Sequence, residues 1–318
     1  MTRRAWLAFA VISLIWGVPY LFIRIAVRGG MTPFTLAWGR VALAAAVLLV
    51  LAWRAGTLGT LRGRGRWLLA YAVAEISIPF PMIAFGEERV SSPLAAITIA
   101  AVPLLVAVLA LRFDRAETPT PTRAVGLLVG FAGVIALVGL DAGSRGELIG
   151  TGAILIAALG YAIGPMLLKL RLTGLDARAA MGASLGFAAV LLAPAALADL
   201  PHRTPTAGAF ASVVLLGLLC TALAFVVFAV LIREAGTSRA AVITYVNPVV
   251  AVGLGVALLG EQPGAGAVAG LLLILAGSWL STGGRSPGLP LPLRSLPRRL
   301  PRSDSAAAAR LIDPAAVR

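Results

Sequence analysis

The chain has 318 residues, 59% of them hydrophobic and 13% charged, with a mean hydropathy of +0.96. A soluble domain is about 25% charged, so this composition excludes a water-bathed globule and places the chain in a membrane. The formal net charge of +14 would suit nucleic acid if its cations shared one soluble face, but 26 of the 27 are Arg, Lys169 is the single lysine, and they fall mostly between apolar runs and in the C-terminal segment. Nucleic acid is therefore excluded as a partner, and the charges read as topology signals.

In chain order, the first apolar run starts behind Arg3 and Arg4 as a signal peptide would. It continues past Ile25 with no small-residue cleavage pattern, so it reads as a retained span. Hydropathy then marks ten segments: 6–27, 34–53, 67–86, 92–111, 122–140, 148–168, 179–198, 208–232, 238–259 and 264–283. Each can cross, since a helix rising 1.5 Å per residue covers about 30 Å of hydrocarbon in about 20 residues. Such uniform apolarity excludes the alternating pattern of a membrane barrel. From residue 286 the sequence is rich in Pro, Arg and Ser and too interrupted by proline to span. It reads as a disordered cytoplasmic tail whose arginines suit anionic lipid. The lone cysteine, Cys220, permits neither an intramolecular disulfide nor a thiolate metal site, and the only histidine, His202, falls in a loop, so no metal or cofactor is expected.

Sidedness follows from the loops. With the N-terminus inside, 21 of the 27 cations fall on the cytoplasmic side, four (Arg28, Arg89, Arg145 and Arg203) on the other, and Arg24 and Arg40 within spans. Positive loops stay inside, so ten spans with both termini cytoplasmic are expected in the cell (plasma or inner) membrane.

The halves repeat. Ala95, Ala96 and Pro103 recur 145 residues later as Ala240, Ala241 and Pro248, and Trp16-Gly17 as Tyr161-Ala162. Glu117, Pro119, Gly126 and Gly133 recur 144 later as Glu261, Pro263, Gly270 and Gly277. Five helices per copy is an odd number, so the second copy enters from the opposite side and the repeat is inverted. The expected architecture is an all-α integral membrane protein of ten transmembrane helices in two inverted five-helix repeats, 1–141 and 142–285, with the tail at 286–318. Inverted repeats suit alternating access around a midplane site, which points to a transporter.

Within the spans, Glu75 is the first candidate for function. A charge at that depth costs about 2.5–3.5 kcal/mol on insertion scales, so it should face a cavity or a partner. Two readings stand: a protonatable carboxylate that couples transport to protons or meets a cationic substrate, or a structural ion pair with Arg24 or Arg40. Those two arginines read as structural charges able to snorkel to the headgroups. Glu87 and Glu88 read as solvated at the outer surface, and Glu117 and Glu261 as helix-end caps. Pro103 and Pro248 each remove a backbone donor mid-helix, as a hinge or as a break that frees carbonyls for Asn247, Thr244 or a ligand; a packing kink is the alternative. Trp16, Tyr20, Tyr161 and Tyr245 could wall a substrate site, while Trp6, Trp53 and Trp67 suit the lipid interface. The pairs Gly126/Gly130, Gly160/Gly164 and Gly266/Gly270 read as close-packing positions. Gly182-Ala-Ser-Leu-Gly186 imitates a nucleophile elbow but lies in an apolar helix, and no catalytic residue is assigned.

The segment from Tyr245 to Gly277, YVNPVVAVGLGVALLGEQPGAGAVAGLLLILAG, resembles the signature of the drug/metabolite transporter superfamily, EamA type. GEERVSSPLAAITIAAVPLLVAVLAL from Gly86 resembles it more weakly, and Trp16-Gly17 and Arg40 stand in matching places. The resemblance spans about residues 6–283 and departs at RFDRAETP, where Leu-Gly-Glu is usual. It implies a ten-helix exporter-like fold with a central cavity formed mainly by helices 1, 3, 4, 6, 8 and 9, and leaves the substrate open among amino acids, nucleosides, sugars, quaternary amines and drugs. The expected function is a secondary exporter of a small metabolite or drug, monomeric or homodimeric in the bilayer, with proton coupling through Glu75 as one of that residue's two readings. A multi-span membrane enzyme or a non-transporting scaffold is the alternative.

Overall fold

Hydrocarbon offers no hydrogen-bond partner to a peptide group, so a chain this apolar satisfies its backbone within helices. The computed structural model describes residues 2–113, 121–141, 144–235 and 243–281, all helix, turn or loop with no strand among the described residues. Among the described residues, ten helical segments follow in order. α1 (Arg3–Arg28) is broken at Val18, ahead of Pro19. α2 is Pro33–Arg54. α3 (Gly65–Glu87) carries a π-helical turn at Val73–Ser77. α4 comprises Ser92–Ile99 and Val102–Phe113. α5 is Pro121–Asp141, α6 Arg145–Arg171 and α7 Ala177–Ala198. α8 (Ala207–Glu234) carries a second π turn at Leu218–Leu223. α9 is Ile243–Leu259 and α10 Ala265–Ser281. α1, α2, α3, α4, α6, α7 and α8 are long and apolar enough to cross a membrane, and the described parts of α5, α9 and α10 run to 21, 17 and 17 residues.

Lipid tails are as apolar as leucine, so hydrophobicity alone does not hold such helices together and small residues bring backbones into contact. α5 and α10 show this. A Cβ at Gly277 would lie 2.6 Å from the Gly126 carbonyl oxygen, one at Gly270 2.9 Å from that of Gly133, and one at Gly133 2.8 Å from the Ile274 nitrogen. Gly126 and Gly270 are repeat equivalents, as are Gly133 and Gly277, so the contact is reciprocal under the two-fold inversion. α2 and α7 are likewise equivalents packed on each other, with Gly182 of α7 fitted against the backbone of Leu48 and Leu49. Because each repeat lends helices to the other, the described helices of both halves form one compact unit. Leu128, Ile135 and Val190, each more than 70% exposed, face outward where lipid would lie.

The two ends carry different chemistry. At one, the N-terminus of α1 meets the C-terminus of α8 through a Thr2 to Glu234 hydrogen bond of 3.0 Å, and Thr57 donates to Asp176 at 3.4 Å. The Arg171 guanidinium lies over the Trp67 ring at 4.5 Å. At the other end, Thr206 N–H donates to the Gly29 carbonyl at 2.9 Å, and Asp199 accepts from Phe34 N–H at 3.2 Å at the start of α2. Thr60 and Pro205 thus sit at opposite ends, as alternating spans require. Trp6 and Trp53 are exposed near the first end. The segment from 286 onward lies outside the described residues.

Asp176 caps the N-terminus of α7, accepting from Arg178 N–H at 3.0 Å and Ala179 N–H at 3.2 Å, and its side-chain bond with Arg178 holds its carboxyl below the usual carboxylate range. A carboxyl lowered in the folded state contributes stability at neutral pH and loses it as acid protonates it. Asp176→Ala should cost about 1 kcal/mol in detergent unfolding at pH 7, with the difference from wild type shrinking below about pH 4. Gly277→Val should cost about 1–3 kcal/mol or more, whereas Gly152→Ala, where an added Cβ meets nothing within 4 Å, should leave the melting midpoint unchanged or slightly raised.

Candidate functional site

Glu75 is presented by the π turn of α3. Pro79 has no N–H to return to the Glu75 carbonyl, and the ladder instead slips to Ile78 N–H donating to Val73 O at 3.1 Å. The wider turn swings Glu75 towards α6, where Gly164 leaves room for the carboxylate: a Cβ there would collide with Glu75 Oε2. Protein surrounds the side chain, yet part of its surface stays accessible, and Oε2 has no hydrogen-bond partner among the described residues. The expected alternative, an ion pair with Arg24 or Arg40, is not formed. Tyr71 and Tyr161 lie within electrostatic reach of the carboxylate.

Arg40 does not snorkel. Its side chain is buried in α2, with its Nε donating to Thr221 Oγ1 at 2.9 Å and its guanidinium 4.0 Å from the Phe80 ring centroid. Thr221 belongs to the π turn of α8, where its hydroxyl donates to the Leu216 carbonyl at 2.8 Å. Tyr20 and Tyr161 lie within electrostatic reach of Arg40. Tyr161 is thus within electrostatic reach of both the cationic and the anionic side chain, and it packs against both of the buried apolar clusters. Trp16 joins from α1 by packing at a tilt of 48° against Phe228, with ring centroids 4.7 Å apart, and edge-on to Phe225 at 6.2 Å. Asn247 lies between the Ser13 and Ile243 carbonyls, and with its amide nitrogen oriented to donate it reaches them at 3.3 and 3.2 Å, tying α9 to α1. The side chains of Thr244 and Tyr245 fall outside the described residues, as do Glu117 and its loop.

The prolines behave differently from each other. α4 breaks at Ala100 and Ala101, just ahead of Pro103, whereas α9 runs unbroken through Pro248. The paired irregularities are instead the π turns: Val73 and Leu218, which open them, are 145 residues apart, the repeat spacing. No aromatic or proline motif pointed to α8; the polar Thr221 in an apolar run was the available signal. Ser184, the elbow serine, is fully buried within α7.

Glu87 corrects a second expectation. It is completely buried, not solvated, because α1 and α10's leading loop close over it. Its Oε2 accepts from Ser92 Oγ at 3.2 Å, and Oε1 has no hydrogen-bond partner among the described residues. Arg24 donates to the Glu87 carbonyl and, at 3.1 Å, to that of Val90, and pairs with Glu261 at 3.3 Å. Arg28 approaches Glu261 at 3.7 Å. Glu261 also accepts from Ser92 N–H at 3.1 Å, so it caps the neighbouring α4 instead of a helix end of its own. Glu88 pairs with Arg89 at 2.7 Å. One buried cluster thus latches α1, the α3–α4 turn and the α9–α10 turn across the end of the bundle. Hollows of about 260 and 440 Å³ lie away from the central residues, one lined by Leu104, Phe131 and Leu159, the other by Phe34, Phe85 and Asp199.

In a chain with Cys220 replaced by serine, an Ala95→Cys thiol should resist a membrane-impermeant maleimide while the latch is intact. Glu261→Gln, which removes the charge facing Arg24 and Arg28, should raise the labelling rate at least severalfold; equal rates would contradict a latch at this end.

The model of the EamA-like transporter family matches the chain twice, over residues 3–139 and 148–283. A protein of Archaeoglobus fulgidus named as an uncharacterized transporter is 24% identical over 286 residues, covering 87% of this chain and 98% of that protein. Protein PagO of Salmonella typhimurium is 36% identical over 107 residues, 33% of this chain and 34% of its own. A solved crystal structure aligns with a TM-score of 0.64 at 20% identity, covering 87% of this chain and 97% of its own, a likeness of fold.

Proposed function

Since the chain belongs to the EamA-like transporter family, a family of membrane transporters, we propose that it exports a small metabolite or drug by alternating access, with protons as the coupling ion and Glu75 as their carrier. It acts as a transporter and not as an enzyme, in the cell membrane, with both termini in the cytoplasm. The observation that carries the reading is Glu75 itself: a carboxylate near the middle of a spanning helix, aimed by a π turn at a neighbouring helix, with an oxygen left without a hydrogen-bond partner among the described residues. An ionisable group inside a membrane that is not consumed by a structural ion pair is a functional group by default.

The paired helices give the movement its shape. α2 with α7 and α5 with α10 are reciprocal contacts across the inversion, so exchanging the conformations of the two repeats preserves them while reversing which end is open. The Arg24–Glu261 latch closes one end, which the charge distribution makes the outer one. Opening that end breaks the latch, and the closed arrangement leaves Glu75 to exchange protons and solute with the other side.

In liposomes, wild-type protein should move solute in response to an imposed pH gradient, and Glu75→Gln should lose that response by about tenfold or more while still exchanging solute at equal pH. Full, gradient-driven transport by Glu75→Gln would overturn the coupling role.

A further inference from the structure

We infer that Arg40 is a solute-binding residue, and that the group it binds is a carboxylate on the transported solute; the inference rests on the transporter reading above. Arg24, Arg28, Arg89 and Arg178 each face an acidic side chain within 4 Å. Arg40, the most deeply buried of these arginines, has no such acidic partner among the described residues. A hydroxyl and an aromatic face hold it instead: Thr221 takes Nε and Phe80 lies under the guanidinium plane. These contacts orient the group without neutralising it. A guanidinium fixed in this way presents a planar pair of donors that matches a carboxylate bidentately.

The repeat supplies an internal control. The positions equivalent to Arg40 and Thr221 in the other half are Leu185 and Ile76, 145 residues away in each case. Both are fully buried and sit in one apolar cluster. The fold therefore closes this helix junction perfectly well with two aliphatic side chains. A buried cation is costly in hydrocarbon, and packing does not require one here. What distinguishes the polar copy is its surroundings: Tyr20 and Tyr161 lie within electrostatic reach of Arg40, and Tyr161 is within reach of Glu75 as well. The carboxylate would supply the missing countercharge, and the rest of the solute would lie against Tyr161 and Trp16.

The test uses purified full-length protein in detergent with three ring compounds of similar size: benzoate, neutral benzamide and cationic benzylamine. Benzoate should raise the thermal unfolding midpoint of the wild type in a dose-dependent way, and the other two should not. The double variant R40L/T221I copies the aliphatic junction of the other repeat, so it should unfold cooperatively, yet bind benzoate about tenfold more weakly or worse. If that variant fails to fold, Arg40→Lys serves: it keeps the charge, loses the fork and the Thr221 anchor, and should show the same loss. Glu88→Gln, which alters only the edge pair with Arg89, should keep its benzoate response. The inference is overturned if benzoate leaves the wild type unmoved, if benzamide or benzylamine acts as strongly, or if the Arg40 variants respond like wild type. Failure of the transporter reading would show separately, as wild-type liposomes that move no solute whatever the binding result.

Discussion

Within the hydrocarbon layer there is no water to satisfy a polar group, and this one constraint orders the molecule. Every backbone donor and acceptor must be used internally, which makes the spans helical. Helices gain nothing by hiding leucine from lipid, so backbones meet through glycine, as where Gly277 lies against Gly126. Charges that enter the layer are gathered into partnerships: Arg24 takes two carbonyls and Glu261, and Glu87 shares Ser92 with the same cluster. Against that background a carboxylate that, unlike Glu87 and Glu261, accepts no hydrogen bond among the described residues and a guanidinium facing only a hydroxyl and a ring are conspicuous.

Symmetry and its violation divide the labour. The reciprocal contacts of α5 with α10 and of α2 with α7 follow the inversion closely, and so do the π turns that widen α3 and α8 at equivalent positions. The two turns arise from different local chemistry. Pro79 withholds a donor in α3, while in α8 the Thr221 hydroxyl competes for the Leu216 carbonyl. Side chains break the symmetry: Glu75 has Cys220 as its counterpart, and Arg40 with Thr221 corresponds to Leu185 with Ile76. The helical frame is thus close to symmetric, and the polar side chains within it are not.

The ten helices, their alternation and the duplication were legible because each rests on a signal local in sequence. Apolar runs of a bilayer's length, arginines on alternate loops and residues recurring at a fixed spacing need no knowledge of who touches whom. Glu75 was legible for the same reason, since a charge in an apolar run stands out at once. The family signature was carried by a continuous stretch, Tyr245 to Gly277, and the match over both halves agrees with it.

Partnership was decided only by the fold. Glu87 and Glu88 are adjacent and equally polar, yet one is buried under α1 and the other pairs with Arg89 at the edge, because helical neighbours point in different directions and only packing says which one meets a helix. Arg24 found Glu261 across more than two hundred residues, and Arg40 found Thr221 across 181; such pairs leave no trace in periodicity. The sequence by itself determined the number of spans, their inverted duplication and the presence of a carboxylate within a span, since hydropathy and charge act residue by residue. Which charges neutralise each other and which remain free depended on distances between helices, and those exist only once the helices have packed.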